Sequence, residues 1–525
     1  MSSEQNELIK RRLEELNEIR EMGINPYPHN YEVTAKASTV INSYKDPVDD
    51  DEALKRKDNI VSVAGRIMSI RKMGKASFCH IIDDTGKIQF YIKKDEVGEK
   101  QYSLFKLLDI GDIVGVKGYA FRTKTGEISI HAIEIKILTK SIKPLPVVKE
   151  EITESGEKVI HDAFADVELR YRQRYIDLIV NENVRSTFIK RTKIIQAIKR
   201  TLEEENFLEV ETPTLQTIYG GANAKPFSTH HNALDIQLYL RISNELFLKR
   251  LIVGGFERVF EFVKDFRNEG IDRTHNPEFT QVEWYQAYGD YFNSMDLFEK
   301  IVERAAISAN GTTKIVYQGV EIDLKRPWKR LKMVDVIKDK TGIDVQNTAL
   351  SELIDYIKSN QINFDPAIAS NKGLITATLF DECCESELIQ PTFVIDHPID
   401  TTPLCKPLRE YSPAQLQEME NDPEQIIFVE RFEPYINGWE LGNSYTELND
   451  PVLQRRLLEQ QVERGRGGEE ETHPLDEDFI NAIEIGMPPT TGAGLGVDRL
   501  VMLLTDSHSI RDVILFPLMK PIIKP

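Results

Sequence analysis

Residues 266–288 read FRNEGIDRTHNPEFTQVEWYQAY. Arg267 and Glu269 stand two apart, the period that puts both on one face of a strand. Gly270 to Thr274 form a polar loop, and His275, Asn276 and Phe279 begin the return. The segment therefore predicts a hairpin offering Arg267 to a phosphate, Glu269 to an adenine amino group and Phe279 to the face of that ring. By themselves the same residues also describe a surface hairpin of paired charges, so the flanking segments carry the decision.

Upstream, RTKIIQAIKRTLEEENFLEVETP (191–213) reads as a helix followed by a strand ending at Pro213, which speaks only of packing. Downstream lies GMPPTTGAGLGVDRLVMLL (486–504), where glycines at 492, 494 and 496 permit close backbone approach and Arg499 opens an apolar helix. This is not a dinucleotide fingerprint, because the third glycine spacing and the later ribose-binding acid are missing. Nor does Gly74-Lys75 belong to a phosphate loop, since position 69 is Ser69. A nucleotide would have to be held in another way.

Beyond these segments, helical runs such as RSTFIKRTKIIQAIKRTLEEE and MDLFEKIVERAAI alternate with β-rich runs such as IQLYLRIS and FERVFEFVKDF, which predicts an α+β body of about 380 residues after Pro144 and Pro146. Nearer the amino terminus the period is two. VSVAGRIMSIR, SFCHIIDD, KIQFYIKK, DIVGVKGYAF and EISIHAIEIKIL are five short strands that suit a small closed barrel. Residues 5–22, with Leu8, Leu13, Leu16 and Ile19, predict one amphipathic helix closed by Gly23, Pro26 and Pro28, and residues 45–58 read as a connector. The charged run at 463–473 reads as a short loop.

The 525 residues are 41% apolar and 29% charged, the balance of a globular protein. A net charge of −19 argues against bulk attraction to nucleic acid or anionic membranes. The window Arg66 to Lys94 runs the other way, with seven basic and two acidic residues. On a five-stranded barrel such a patch suits single-stranded nucleic acid, with Phe78 and Gln89 as base readers on a shared face. Alternation alone does not say whether Phe78 points outward or into the barrel core.

Four cysteines without Cys-x-x-Cys spacing support neither a disulfide framework nor a zinc site, and free thiols suit a reducing compartment. Cys383-Cys384 reads as helix packing. His230 and His231, adjacent on a strand, point to opposite faces and do not make a metal pair. No apolar leader and no run of about 18 apolar residues occurs, which gives the expectation of a cytoplasmic protein.

Taken in order, the 191–213 segment, GGANAKPF (220–227), STHHNALD (228–235), RISNELFLKRLIVGGFERVFE (241–261), FRNEGIDRTHNPEF, SYTELNDP (444–451), GLGVDRLVM and RDVILFP (511–517), together with VAGRIMSIRKMGKASF (63–78), resemble the class II aminoacyl-tRNA synthetases. Within that class the chain resembles the lysyl-tRNA synthetases of bacterial type. The resemblance implies a helix and connector over 1–58, an OB-fold anticodon barrel over 59–145 and a catalytic domain over 146–525 built on an antiparallel sheet with flanking helices. It implies lysine activation by ATP with Mg²⁺, transfer to tRNA(Lys), and a homodimer joined through the first motif, with no DNA or membrane partner.

Residue by residue, the resemblance implies that Arg267 and Arg499 are catalytic. ATP falls to Arg267, Glu269, His275, Asn276, Phe279, Gly496 and Arg499, and the metal-bridging carboxylates to Glu433 and Glu440. Lysine falls to Gly221, Glu245, Glu283, Tyr285, Asn443 and Glu447, and the anticodon to Arg66, Phe78 and Gln89. Two segments depart from the family's pattern: VKDF before the hairpin and TTPLCK at 401–406. An aspartyl or asparaginyl relative shares the barrel and motifs, and an aspartate-specific one would want an arginine facing the side chain. A non-catalytic RNA-binding relative is disfavoured by the retained Arg267, Glu433, Glu440 and Arg499.

Overall fold

The computed structural model describes residues 3–48, 59–146, 149–152, 158–161, 164–222, 224–466 and 474–522. Two units emerge, Met1–Ala165 and Asp166–Pro525. Most of the 45–58 connector and residues 467–473 of the charged run lie outside the described residues. Residues 463–466 complete a helix, Pro451–Arg466, rather than opening a loop.

In the first unit, strands β1 (Val61–Met73), β2 (Ala76–Ile82), β3 (Lys87–Lys93), β4 (Ile113–Arg122) and β5 (Ile128–Thr139) close a barrel in the order β1-β2-β3-β5-β4. Their alternation sends Val63, Ile67, Cys79, Ile81, Phe90, Ile92, Val114, Val116, Ile130 and Ile137 inward as one core. The barrel closes through a parallel β3–β5 pair, Gln89 opposite Ser129. Helix α1 (Ser3–Glu21) adds Ile19 to that core, while Leu13 is exposed despite its place in the apolar pattern. The helix is also held by buried polar groups. Arg12 donates to the carbonyls of Ile110, Ser141 and Lys143, and the fully buried Lys140 ammonium reaches Glu15 at 2.9 Å and Asp109 at 2.8 Å.

The second unit is organised by a nine-stranded sheet. Its members are β6 (Leu208–Glu209), β7 (Arg258–Phe266), β8 (Glu278–Ala287), β9 (Lys329–Lys332), β10 (Thr392–Pro398), β11 (Phe428–Ile436), β12 (Trp439–Glu440), β13 (Gly442–Thr446) and β14 (Thr490–Gly496). They run β9-β10-β11-β13-β14-β8-β7-β6, with β12 on β11. Only the outer pairs β9–β10 and β7–β6 are parallel. The strand expected to run to Pro213 is just the two residues of β6.

Three helices, α2 (Glu182–Glu204), α3 (Tyr291–Asn310) and α4 (Val497–Leu504), pack on one face. Ile194, Ile198 and Leu202, then Met295, Phe298 and Val302, then Leu500 and Val501 share a core with Phe260, Val282, Trp284, Phe432, Ala493 and Leu495 of the sheet. Because side chains alternate along a strand, the residues between these, Gln281, Glu283 and Tyr285 on β8 and Gly492, Gly494 and Gly496 on β14, face the other way. That face holds the cleft.

Candidate active site and anticodon-binding face

A cleft of about 370 Å³ opens on the sheet face opposite these three helices. Its floor is set by register. Gly492, Gly494 and Gly496 stand directly opposite Tyr285, Glu283 and Gln281, so the central strand contributes backbone alone where its neighbours contribute side chains. A Cβ at Gly492 would lie 2.3 Å from both Glu447 Oε1 and Tyr285 Cε1. The glycines are therefore a strand floor, not a glycine-rich loop.

One end of the cleft is basic. Strand β7 stops at Phe266, so Arg267 and Glu269 do not share a strand face as expected but lie in the loop beyond it, with the Arg267 amide bonded to the Pro277 carbonyl. The pairing ends because Asp272 folds the tip back, accepting from the amides of Thr274 and His275. Phe279 begins the return strand, and the Arg267 guanidinium lies over its ring at 5.1 Å. The buried Arg267 Nε has no partner among the described residues. Arg499, from α4, donates to the Glu440 carbonyl at 2.6 Å and sits 3.2 Å from His275 Nε2, joining residues 224 apart in sequence. Asn276 is buried beside them, and Glu269 is exposed at the rim.

Acids crowd the opposite end. Glu447 is wholly buried, and neither carboxylate oxygen has a hydrogen bond of good geometry, although Lys249 Nζ makes an ion-pair contact at 2.5 Å. Burial pushes the Glu447 carboxyl up to about 8 against the pull of Lys249. Glu283 is likewise driven well above the usual carboxylate range by burial and then by the charge of Glu245, and it accepts from the Tyr285 hydroxyl at 3.1 Å. Glu245 accepts from Lys249 at 2.6 Å and from the Tyr445 hydroxyl. Gly221 holds a φ of +86°, and a Cβ there would come within 2.8 Å of Ser243 Oγ, so the wall beside Glu245 also requires glycine.

Between the two ends, Arg431 donates to Asn443 Oδ1 at 2.9 Å, Thr401 Oγ1 at 2.7 Å and Glu433 Oε1 at 2.5 Å. Glu433 lies two residues from Tyr435, and Tyr435 pairs with Glu440 across the β11–β12 turn, so both acids stand on one face. Desolvation and then Glu433 raise Glu440, whereas Arg431 holds Glu433 below its ordinary value against its own burial. Nearby, Glu385 is pushed up to about 7 by burial, Glu440 and Glu433. The departing 401–406 loop closes this side through Thr401, Thr402 and the buried Cys405.

Residues 166–520 match the family described as tRNA synthetases class II (D, K and N). The chain belongs to that family. Residues 61–138 of this synthetase match the OB-fold nucleic acid binding domain. It is 50% identical over 522 residues to a lysine–tRNA ligase of Thermoanaerobacter sp. (strain X514), covering 99% of this chain and 97% of the relative. It is 49% identical to proteins of the same name from Clostridium acetobutylicum, covering 98% and 94%, and Pelotomaculum thermopropionicum, covering 98% and 95%.

On the synthetase's barrel, Phe78 lies on the outer face, since its neighbours Cys79 and Ser77 are the buried ones. It packs on Tyr91 at 5.0 Å, and Tyr91, Phe121 and Tyr119 surround His131 at 5.1, 5.5 and 4.9 Å. Gln89 shares this face and is bound at both ends, donating to Glu127 Oε2 at 2.8 Å and accepting from Ser129 Oγ at 2.8 Å. Arg66 lies farther along β1 and donates to the Gly111 carbonyl at 2.7 Å, with no contact to Phe78 or Gln89. The basic excess of the window is partly offset, since Lys94 pairs with Glu99 and Lys93 with Glu96.

Sequence reasoning passed over Arg431, Lys249, Gln281 and Glu127. Two carried a readable signal: Lys249 stands four residues after Glu245 on a helix, and Arg431 two before Glu433 on a strand. Gln281, which bridges Asp265 and Glu283, and Glu127 become visible only once non-local strand pairing is known.

Proposed function

We propose that this synthetase attaches lysine to its cognate tRNA, first forming lysyl-adenylate from ATP and then passing the lysine to the 3′ end of the tRNA. The observation that carries the reading is Glu447: a fully buried carboxylate beside Tyr285 and Gly492, which line the acidic end of the cleft. Such an acid suits an ammonium-bearing side chain and repels a carboxylate. The lysine carboxylate then lies toward Arg267, within reach of an α-phosphate, with Glu245, Gly221 and Asn443 around its α-carbon. An aspartate pocket would need an uncommitted cation here. The ammonium present, Lys249, is already shared by two acids.

At the basic end, Arg267 neutralises the charge that grows on the α-phosphorus while the carboxylate attacks and pyrophosphate leaves. His275 and Arg499 hold the far phosphates, and Phe279 and Glu269 the adenine. Among the described residues, no cluster of three or more His, Cys, Asp or Glu side chains can hold a metal alone. The Glu433–Glu440 pair, with Glu385 raised by their charge, fits Mg²⁺ in the mode that combines one or two carboxylates with substrate phosphates. When bound, the ion supplies charge neutralisation at the phosphates.

The barrel is proposed to read the anticodon through Phe78 and Gln89, with the aromatic face around His131 as a stacking platform. Phe78→Ala is expected to weaken tRNA charging roughly 5- to 150-fold, the equivalent of about 1–3 kcal/mol of base stacking, while ATP–pyrophosphate exchange stays within about twofold. Comparing both half-reactions checks this, and an equal fall in both would make Phe78 structural. A homodimer through the first motif is supported by exposed apolar side chains, Leu208 within it and Ile189 on α2 and Leu215 at its two ends. Sedimentation equilibrium should give twice the chain mass. No helix among the described residues is long and apolar enough to cross a membrane, and a cytoplasmic site of action is proposed with the function.

A further inference from the structure

Lys249 is fully buried on helix α5 (Glu245–Val253), and nothing in the reading above requires it to be charged. Its Nζ lies 2.6 Å from Glu245 Oε1 and 2.5 Å from Glu447 Oε2, with the rings of Tyr445 and Phe479 at 5.4 and 5.9 Å. Its surroundings are otherwise apolar, built from Leu248, Ile252, Val259 and Phe479. Burying an ammonium in such a place is unfavourable unless acids compensate it, and an apolar side chain of similar volume would pack there without that penalty. The charge therefore points to a role in the pocket.

Charge counting identifies that role. Glu245 and Glu283 line the acidic end and Glu447 lies buried beside its Gly492 and Tyr285, three carboxyl groups against the one ammonium of Lys249, so two acids are left unmatched. A free amino acid with a side-chain ammonium carries two such cations, its carboxylate being taken by Arg267. We propose that Lys249 is a positioning residue that sets the charge of the substrate pocket, aiming Glu245 and Glu447 and favouring the carboxylate form of Glu447, so that the excess of acids receives the two ammonium groups of the substrate. This rests on the lysine reading of the cleft.

The titratable groups facing Lys249 and Glu447 are Glu245 on the same helix, Glu283 and Tyr285 on β8, Tyr445 on β13 and Cys405 in the 401–406 loop. Burial drives Tyr285, Tyr445 and Cys405 well above their ordinary values, so they stay neutral near pH 8. Glu447 and Glu283, both raised by burial, are the groups left to change charge, and of the two only Glu447 touches Lys249. Without Lys249 beside it, the Glu447 carboxyl climbs further, holds its proton still more firmly at pH 7 and receives an ammonium less readily. Raising the pH restores the carboxylate.

The test is lysine-dependent ATP–pyrophosphate exchange by the full-length chain and its Lys249→Met variant, from about pH 7 to about pH 8.5. Removing a contacting counter-cation moves a carboxyl by about one unit or more, so the lysine KM of Lys249→Met should rise about tenfold or more at pH 7. The deficit should shrink as the pH rises, with the ATP KM unchanged. A lysine KM within about twofold of the unsubstituted protein overturns the proposal. So does a joint, pH-independent loss in lysine KM, ATP KM and turnover. If Lys249→Met does not fold, the charge-balanced pair Glu245→Gln and Glu245→Gln/Lys249→Met decides: a further rise in lysine KM supports the proposal and an equal KM overturns it. Absence of lysine-dependent exchange in the unsubstituted protein overturns the lysine reading itself, and the proposal with it.

Discussion

Arg267→Ala is expected to reduce lysine-dependent ATP–pyrophosphate exchange by about two to three orders of magnitude, the usual effect of deleting one donor aimed at developing charge. The Arg267 guanidinium is stacked over Phe279, and its Nε is buried without a partner, so the group is held in place while retaining donors for a ligand. Lysine binding measured calorimetrically in the absence of ATP should weaken far less than exchange, because the arginine acts most strongly on charge that exists only in the transition state. Arg267→Lys should recover only part of the rate, since a point charge does not reproduce the planar fork. A variant that melts like the parent yet exchanges at the parent rate would remove Arg267 from the chemistry.

The second large effect belongs to Glu447. Glu447→Gln preserves shape and removes the charge, and the loss of one partner from a buried charge pair amounts to about 2–5 kcal/mol. The lysine KM should therefore rise by roughly 30-fold or more, with the ATP KM nearly unmoved. The pH dependence has a definite sign. Because burial pushes the Glu447 carboxyl up to about 8 in the empty pocket, at pH 7 much of it holds a proton that the incoming ammonium must displace. The parent lysine KM should fall as the pH rises from about 7 to about 8.5, and Glu447→Gln should lose that slope. Steady-state kinetics over this range checks both statements.

Much of the architecture was legible because it follows local periodicity. Five period-two segments announced a barrel, and the 492–496 glycines announced a backbone floor. The opposition of Gly492 to Tyr285 and Gly494 to Glu283 is a fact of register that no local pattern contains. The hairpin shows the limit of counting by twos: Arg267 and Glu269 obey the strand period, yet the strand ends at Phe266 because Asp272 turns the chain. Leu13 fits a helical stripe and is nevertheless exposed, since helix α1 is fastened to the barrel through Arg12 and Ile19.

Charge was the least legible feature. A net −19 argued against nucleic acid as a statement about the average surface, but the folded chain separates its charges by place. Some of the window's lysines, Lys93 and Lys94, find acidic partners around the barrel, while Glu245, Glu283 and Glu447 withdraw from the surface. Composition cannot distinguish an acid on the surface from one facing a pocket. Glu127 illustrates the same point, since only the parallel β3–β5 pair carries it to Gln89.

The central claim is that the buried acids select a cationic side chain, and ATP–pyrophosphate exchange assayed with each amino acid separately tests it most directly. The account predicts exchange with lysine and none above background with aspartate or asparagine. Exchange driven by aspartate or asparagine, with lysine inactive, would contradict it.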